Sequence, residues 1–263
     1  MGMLVGKRAL VVGLLNKHSL AASITHALLA QGASCVVASR TPLTESQIKA
    51  CAFQLPFAHA VHDSRHHGHD DEKQPKGQTL HFSDCDVESD ESIATLLGTC
   101  SQAFDGELDI LVQSVAFAPR ETFHPKGVLN TTREAWNQAM DVSAYSLVAL
   151  TRAAYPLLTA GAPRDRSIMA LTYAGADKVV PNYNLMGPAK AALEATARQL
   201  AYELGEDARG IPGISKMRKY AEEHSPLKRN ATGGDVGHLA AFLASDLAAA
   251  ITGQTLYAWF RFG

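Results

Sequence analysis

The sequence lacks long hydrophobic runs, an excess of either charge, and paired cysteine motifs. No stretch approaches about 18 uninterrupted apolar residues, so a transmembrane helix is not predicted. A net charge of −2 gives no reason to expect binding to nucleic acid or to an anionic membrane. The four cysteines, at positions 35, 51, 85 and 100, form no CxxC pair, which argues against a disulfide framework or a zinc site. The cysteine spacing leads us to expect no bound metal. Because the first residues also lack the features of a signal or transit peptide, we expect a cytoplasmic protein.

Short apolar runs alternate along the chain with longer segments of helical periodicity. The apolar runs predict buried parallel strands at Arg8–Val12, Ser34–Ala38, Leu80–Asp84, Leu108–Gln113 and Ser167–Thr172. The longer segments predict helices at Ser19–Gln31, Asp90–Ala103, Arg133–Leu158 and Met186–Glu203. This alternation predicts an α/β fold, a Rossmann-like doubly wound parallel sheet flanked by helices, in a single domain over residues 1–263.

A polar segment rich in histidine, at about residues 57–78, interrupts this alternation. One interpretation is a metal site, for which the segment offers His62, His66, His67, His69 and Asp70. The other is a solvated, disordered insertion between strands. No ligand spacing here matches a structured zinc motif, so the sequence favours the insertion.

The first strand runs through Gly13 into a helix that begins near Ser19, an arrangement typical of an anion site. Free backbone N–H groups and the helix dipole at such a helix start face a bound phosphate. Ser19 is a natural N-cap, and Leu20 follows it in the first turn. The segment is not a GxGxxG motif, so an ordinary turn that binds no ligand stays open as the alternative.

The second strand ends in Ser39 and Arg40, the position at which a dinucleotide-binding fold contacts the adenosine ribose. An acid at this position binds the free 2′-hydroxyl of NADH, whereas an arginine binds the 2′-phosphate of NADPH. Since no Asp or Glu stands there, the sequence favours NADPH, or use of both cofactors, over strict use of NADH. The alternative is that Arg40 is a solvated surface residue.

Two further strand ends carry residues that would contact a dinucleotide. Asp86 would accept a hydrogen bond from the adenine amino group, and Val87 would pack on the adenine ring. After the next strand, Ser114 begins a run of small residues that would allow the backbone to approach the nicotinamide ribose. Compatible groups at four strand ends together favour a dinucleotide site.

Tyr183 and Lys190 lie seven residues apart in YNLMGPAK, about two turns of a helix. Pro188 between them is tolerated in the first turn of a helix, so we expect a helix that starts between Asn184 and Gly187. Tyr183 would then lie at the boundary and Lys190 just inside, and the two side chains would converge on one ligand. The alternative is a half-buried tyrosine and a solvated lysine without a chemical role.

Several segments together resemble the bacterial-type enoyl-[acyl-carrier-protein] reductases, a divergent branch of the short-chain dehydrogenase/reductase superfamily. They are GLLNKHSLA, CDVESDESI, SVAFAP, LTYAGADKVVPNYNLMGPAKAALEA and DVGHLAAFLASDLAAAITGQTL, in the family's order. The most specific part is Tyr173 with Tyr183 and Lys190, because this family has six residues between the tyrosine and the lysine, where ordinary short-chain dehydrogenases have three. Ordinary ketoreductases also carry a serine about thirteen residues before the tyrosine, where this sequence has Ala170.

The resemblance implies reduction of the carbon–carbon double bond of trans-2-enoyl thioesters on acyl carrier protein, in fatty acid elongation, with NADH or NADPH. It implies that Tyr183 bonds the thioester oxygen, that Lys190 holds the cofactor ribose, and that Tyr173 lines the acyl pocket. It further implies that Met186 lies near the acyl chain and Ala116 near the nicotinamide. Family members are commonly homotetramers, so a homo-oligomer is expected.

Two segments depart from the family pattern. In the family, the helix after the lysine leads into a sixth strand, which is apparently absent from residues 205–223, and the final strand has a different end after GQTL. An interior parallel strand cannot be removed without exposing backbone groups of its neighbours, so either the sheet re-pairs or the chain folds poorly. The alternatives are therefore a degenerate relative that binds a dinucleotide with impaired catalysis, or a ketone-reducing short-chain dehydrogenase, which the absent serine opposes.

Overall fold

Parallel strands form the sheet that organises the structure, a computed structural model that describes residues 2–52, 60–63, 78–123, 126–162, 165–204, 209–213, 232–249 and 251–256. The strands are β1 (Arg8–Val12), β2 (Ser34–Ser39), β3 (Ala60–Asp63), β4 (Thr79–Asp84), β5 (Ile110–Gln113), β6 (Ser167–Leu171) and β7 (Arg209–Gly213). Within the described residues they lie in the order β3-β4-β2-β1-β5-β6-β7, and every neighbouring pair is parallel. Each strand predicted from an apolar run is present within two residues of its predicted bounds.

The four predicted helical segments are helical, one of them with an interruption. The helices are α1 (Leu20–Ala30), α2 (Glu45–Ala52), α3 (Asp90–Ala103), α4 (Arg133–Met140), α5 (Ser146–Thr159), α6 (Met186–Glu203) and α7 (Gly233–Leu243), of which α2 and α7 were not predicted. The segment expected to form one helix over Arg133–Leu158 is divided by a π-helical turn at Asp141–Tyr145. That prediction is wrong in detail, because apolar periodicity does not resolve a single wide turn within an otherwise helical segment.

The sheet is buried on both faces, as a doubly wound fold requires. Along β1, Ala9 and Val11 belong to the core shared with α1 and α7, whereas Leu10 and Val12 belong to the core shared with α3 and α5. This alternation follows from the two-residue period of a strand. The predicted Rossmann-like fold class is confirmed. Among the described helices, none is both long enough and apolar enough to cross a membrane.

The structure corrects the expectation of a missing strand after α6. The strand β7 pairs with β6 from Arg209 opposite Ser167 to Gly213 opposite Leu171. Two glycines and Pro212 conceal this strand in the sequence, because both residue types are uncommon inside strands. The sheet therefore re-pairs at this position, and β6 has a neighbour on each side. The altered chain end after residue 256 lies outside the described residues.

Part of the histidine-rich segment also joins the sheet. The strand β3, which includes His62, pairs with β4 and corrects the interpretation of residues 57–78 as a wholly disordered insertion. The physical reason is that β4 would otherwise present an unpaired edge. The other candidate metal ligands, His66, His67, His69 and Asp70, lie outside the described residues.

The strand order places a binding crevice beside the end of β1. This strand lies between β2 and β5, so the chain connections on its two sides run in opposite directions across the sheet. Ligands of open α/β sheets bind outside the carboxyl ends of the strands at such a point. Gly13 and Ser114, which follow β1 and β5 directly, lie there.

Close packing of α1 against α7 fixes the helix layer on one face of the sheet. A Cβ atom at Gly237 would come within 2.8 Å of the Ser23 carbonyl oxygen and 2.9 Å of the Ala27 Cβ atom. The helix α7 starts with a capping box between Thr232 and Asp235. The capping box therefore fixes the start of α7. Gly237, which has no side chain, allows α7 to lie close to α1.

Gly237→Ala is expected to lower the free energy of unfolding by about 1–3 kcal/mol, because the added methyl group overpacks the contact with α1. Gly234→Ala is the matched control on the same helix, since the nearest atom to a Cβ there is Thr232 Oγ1 at 3.5 Å. The control gains helix propensity without a clash. Urea unfolding of both variants measures the difference. Equal stability of the two variants would contradict the close packing.

Candidate active site

A cleft of about 720 Å³ opens at the carboxyl ends of the strands. It is lined by all the residues predicted to bind the cofactor: Gly13, Ser19, Leu20, Arg40, Asp86, Val87, Ser114 and Lys190. Ala116, Tyr173 and Tyr183 line the same cleft. In the part of the chain that the structure describes, no group of three or more His, Cys, Asp or Glu side chains is arranged to hold a metal ion.

Gly13 allows the end of β1 to lie against the end of β5. Its φ angle of +115° is in the left-handed region that favours glycine, and a Cβ atom there would be 2.3 Å from the Ser114 carbonyl oxygen. The N–H groups of Gly13 and Leu14 both donate to the Ala38 carbonyl oxygen at 2.9 Å. Any side chain at position 13 would therefore displace the backbone that forms this part of the cleft.

Ser19 caps α1. Its Oγ atom accepts a hydrogen bond from the Ala22 N–H at 3.3 Å and donates to the Asn16 carbonyl oxygen at 2.7 Å. The Asn16 side chain in turn accepts a hydrogen bond from the His18 N–H at 2.8 Å. These bonds fix the turn before the helix, so the N-terminus of α1 stays directed toward the cleft.

Arg40 extends across the mouth of the cleft. Its Nη2 atom lies 2.7 Å from Glu88 Oε2 and 3.5 Å from Asp86 Oδ2. Its guanidinium carbon is 5.9 Å from the centroid of the Phe117 ring, within the range of a cation–π contact. Ser39, in contrast, is buried and donates to a backbone carbonyl oxygen at 2.8 Å. Of the two residues predicted at this strand end, Arg40 reaches the cleft.

Asp86 and Val87 present a carboxylate and an apolar surface side by side. The Asp86 side chain accepts a hydrogen bond from the Glu88 N–H at 3.1 Å, and the Asp86 N–H donates to Ser92 Oγ at 2.9 Å. Val87 is buried with the core on the α3 side of the sheet. The pair therefore has the chemistry that the amino edge and the face of an adenine would require.

Three polar residues that the sequence did not single out hold the segment after β5. Ser143, in the π-helical turn, accepts a hydrogen bond from the Phe117 N–H at 2.9 Å and donates to the Phe117 carbonyl oxygen at 2.8 Å. The Gln113 amide donates to the Val115 carbonyl oxygen at 3.2 Å and to Ser146 Oγ at 2.9 Å. Wide helical turns often occur at functional sites, and this one brings Ser143 to the cleft segment. A π-helical turn has no sequence signal, so these contacts were not predictable.

Tyr173 and Tyr183 form an edge-to-face pair in the cleft. Their ring centroids are 4.6 Å apart and their planes meet at 68°, a favourable aromatic geometry. Gly175 leaves room for the pair, because a Cβ atom there would be 2.3 Å from Tyr183 Cδ1. Burial raises the pKa of Tyr183, and Tyr173 raises it further. The Tyr183 hydroxyl therefore stays protonated at neutral pH and can donate a hydrogen bond.

Left-handed backbone on both sides of Tyr183 positions it ahead of α6. Asn182 has a φ angle of +66° and Asn184 one of +41°, and asparagine tolerates this region better than most residues. The Asn184 side chain donates to a backbone carbonyl oxygen at 2.9 Å, which fixes the turn. The helix starts at Met186, inside the predicted interval, with Pro188 in its first turn.

Lys190 is almost wholly buried although it lines the cleft. Only 4% of the residue is exposed, and its Nζ atom donates to the Leu171 carbonyl oxygen at 2.6 Å. The next residue, Thr172, donates through Oγ1 to Glu194 Oε1 at 2.7 Å, so α6 is joined to the end of β6 at two points. Burial lowers the pKa of Lys190 to about 8, and the nearby Glu194 carboxylate acts in the opposite direction.

Met186 and Ala170 do not themselves line the cleft, although Tyr183, which does, packs against the cluster that contains Met186. Met186 is buried against Ala118, Ala139 and Leu185, so its contact with an acyl chain stays a prediction. Ala170 is buried in the core on the α3 side of the sheet. A serine hydroxyl at the position of Ala170 would therefore lie in apolar surroundings in this chain.

A family model described as Enoyl-(Acyl carrier protein) reductase matches residues 57–209 and 206–258 of this chain. The chain belongs to this family. The enoyl-[acyl-carrier-protein] reductase [NADH] FabI of Aquifex aeolicus is 37% identical over 273 residues, which cover 98% of this chain and 91% of that relative.

Solved structures of enoyl-acyl carrier protein reductases extend the similarity to the whole fold. The Bacillus cereus enzyme, in complex with NADP+ and indole naphthyridinone, superposes with a TM-score of 0.82 at 30% identity, covering 98% of this chain and 96% of that one. The Anaplasma phagocytophilum enzyme, in complex with NAD, gives a TM-score of 0.82 at 29% identity, covering 98% and 92%. The predicted cofactor, NADH or NADPH, agrees with the cofactors of these relatives.

Lys190→Met is expected to raise the stability of the ligand-free chain at pH 7 by about 1–2 kcal/mol. A lysine whose pKa falls from 10.5 to about 8 on folding costs roughly 3 kcal/mol below the folded-state pKa, and the lost hydrogen bond offsets about 1 kcal/mol of this gain. Because this cost declines as the pH rises from 8 to 10.5, the gain should shrink over that range. Melting temperatures across this pH range measure it.

Lys178→Met provides the control, because Lys178 is exposed and its replacement removes the same charge without relieving burial. A Lys190→Met variant that is less stable than the wild type at pH 7 would contradict the expectation. It would mean that the bond to the Leu171 carbonyl oxygen outweighs the cost of burying the ammonium group.

Proposed function

We propose that the chain catalyses the NADH- or NADPH-dependent reduction of the carbon–carbon double bond of trans-2-enoyl thioesters carried by acyl carrier protein, in fatty acid elongation. The observation that carries the proposal is one cleft that combines a protonated tyrosine, Tyr183, with a buried lysine, Lys190. Membership of the enoyl-(acyl carrier protein) reductase family supports this reaction. The names of the relatives support acyl carrier protein as the carrier.

The cleft has the features that a nicotinamide dinucleotide requires. Gly13 leaves bare backbone beside the N-terminus of α1, where Ser19 lies, and this arrangement suits a pyrophosphate. Asp86 and Val87 suit the adenine, and Ser114 lies on the side of the cleft formed by the end of β5. A bound NADH or NADPH would supply a hydride to the β-carbon of the enoyl group.

Tyr183 stabilises the charge that develops on the substrate. When the β-carbon receives a hydride, negative charge builds on the thioester oxygen, and a donor fixed in place before the reaction lowers the barrier. Tyr183 is such a donor, because burial keeps its hydroxyl protonated and Gly175, Tyr173 and the turn at Asn182 and Asn184 fix its ring.

Lys190 supplies positive charge next to this site. Its ammonium group, held by the Leu171 carbonyl oxygen, keeps further N–H groups that can bond the ribose hydroxyls of the cofactor. Tyr173 packs edge-to-face with Tyr183 and forms the wall on which the acyl chain would lie. Ala116, exposed beyond the end of β5, leaves room at the nicotinamide end.

Two alternatives differ in the support they have. A catalytically impaired relative was suggested by the departure of residues 205–223 from the family pattern, but the pairing of β7 with β6 weakens that suggestion. Ketone reduction has weaker support, since Ala170 supplies no hydroxyl and is buried in the core. Reduction of the enoyl thioester has the stronger support, because Tyr173, Tyr183 and Lys190 line the same cleft.

The cellular setting follows from the same proposal. The four cysteines are free and buried, which supports a reducing cytoplasm. A homotetramer is the assembly that the family resemblance implies, and size-exclusion chromatography with light scattering would measure it.

Tyr183→Phe is expected to lower kcat by about 10²–10³-fold with a trans-2-enoyl thioester, because it removes one preorganised donor from the thioester oxygen. Tyr202→Phe is the control, since Tyr202 is a highly exposed tyrosine of α6. Loss of NADH absorbance measures turnover, and cofactor titration shows that binding persists. Absence of turnover from a folded wild type that binds cofactor would support the impaired relative instead.

The value of kcat/KM for the cofactor is expected to fall as the pH rises through about 8, because Lys190 loses its proton there. Since Glu194 raises the pKa of Lys190, Glu194→Gln should move this fall to lower pH while its amide oxygen still accepts the Thr172 bond. Glu203→Gln, on the same helix and bonded to Gln199, is the control. An unchanged pH profile in Glu194→Gln would show that the deprotonation of a group other than Lys190 causes the fall in kcat/KM.

A further inference from the structure

Arg40 has carboxylate partners at the point where the adenosine ribose of a dinucleotide would lie. Its guanidinium is 2.7 Å from Glu88 Oε2 and 3.5 Å from Asp86 Oδ2. An arginine at this strand end serves a 2′-phosphate only when its positive charge is available to that phosphate. In this chain, Glu88 already forms a close ion pair with that charge.

Glu88 is the more firmly held member of the pair. Its side chain is 22% exposed, compared with 53% for Arg40. Its second carboxylate oxygen accepts a hydrogen bond from the Gln138 amide at 3.0 Å, and its own N–H donates to the Asp86 side chain at 3.1 Å. Glu88 is therefore fixed from α4 and from the loop after β4, and it holds the more exposed guanidinium group of Arg40.

Other acidic groups surround this pair. Burial raises the pKa of Asp141, and the nearby carboxylates Glu88, Asp90 and Asp86 raise it further. Of these four acids, Asp86 and Glu88 contact Arg40, and Asp90 pairs with Arg152. A 2′-phosphate, which carries up to two negative charges, would be repelled here, whereas an uncharged 2′-hydroxyl would not.

We propose that Glu88 is a specificity-determining residue that holds Arg40 and thereby makes the cleft select NADH over NADPH. The inference rests on the proposed function, since it concerns the cofactor of that reaction. Arg40 alone would favour NADPH, but an arginine that is paired with a carboxylate does not offer a 2′-phosphate the same charge as a free one. Glu88 acts on the cofactor through Arg40.

Binding of nucleotide fragments tests this without turnover. The probes are 2′,5′-ADP, which carries the 2′-phosphate, and 5′-AMP, which lacks it, each titrated by calorimetry at fixed ionic strength. Glu88→Gln should increase the affinity for 2′,5′-ADP by roughly three- to tenfold and leave that for 5′-AMP nearly unchanged. The glutamine keeps an oxygen for the Gln138 bond. The ratio of kcat/KM for NADPH to that for NADH should rise by a similar factor.

Two further variants make the result specific to this pair. Asp90→Asn removes one negative charge from the neighbouring residue that pairs with Arg152 instead, so it should change the preference much less. In a protein that already carries Arg40→Gln, adding Glu88→Gln should no longer increase the affinity for 2′,5′-ADP.

Three results would overturn the inference: no gain with Glu88→Gln, an equal gain with Asp90→Asn, or a gain that persists without Arg40. Each leaves the proposed reductase activity standing, because the wild type would still bind 5′-AMP and turn over the enoyl thioester. A wild type that binds neither 5′-AMP, 2′,5′-ADP, NADH nor NADPH would overturn the inference and the proposed function together.

Discussion

The hydrogen bond from the buried Lys190 ammonium to the Leu171 carbonyl oxygen joins α6 to the end of the strand that leads to Tyr173. The second bond, from Thr172 to Glu194, lies one helical turn further along α6 and closes the same junction. Burial fixes the cation at the cleft, but it also makes the charged form less favourable. The buried ammonium group therefore lowers the stability of the fold while it keeps a positive charge in a fixed place.

Hydrogen bonds within the protein also fix the other segments of the cleft before any ligand binds. The segment after β5 is held by Ser143 and Gln113, and the turn before α1 is held by Ser19. These bonds come from helices and strands that belong to the two cores of the sheet. Positions that are already fixed need no reorganisation when ligands arrive, which is a large part of what catalysis requires.

The parts of the fold that the sequence predicts are those with a strong local pattern. The strand Arg8–Val12 was predictable because a short apolar run within a strand–helix alternation is typical of a buried parallel strand. The strand β7 was not, because Pro212 and its glycines hide a strand that exists through pairing with β6. Both β7 and β3 form through pairing with a neighbouring strand rather than through a local sequence pattern.

The same distinction applies to the site. Arg40 and Lys190 were predictable from their places after a strand and near a helix start. Glu88 as the partner of Arg40 was not, since 48 residues separate them along the chain and their meeting depends on how the strand ends are arranged. Burial of Lys190 likewise depends on packing that no local pattern describes.

The π-helical turn at Asp141–Tyr145 joins α4 to α5. A π-helical turn holds about one residue more than an α-helical turn, so deletion of one residue here would restore a regular helix and leave α4 and α5 nearly in phase. Leu147 and Leu150, which are buried, would then keep their direction toward the core. The extra residue of the wide turn therefore matters for the bonds between Ser143 and the Phe117 backbone rather than for the packing of the core.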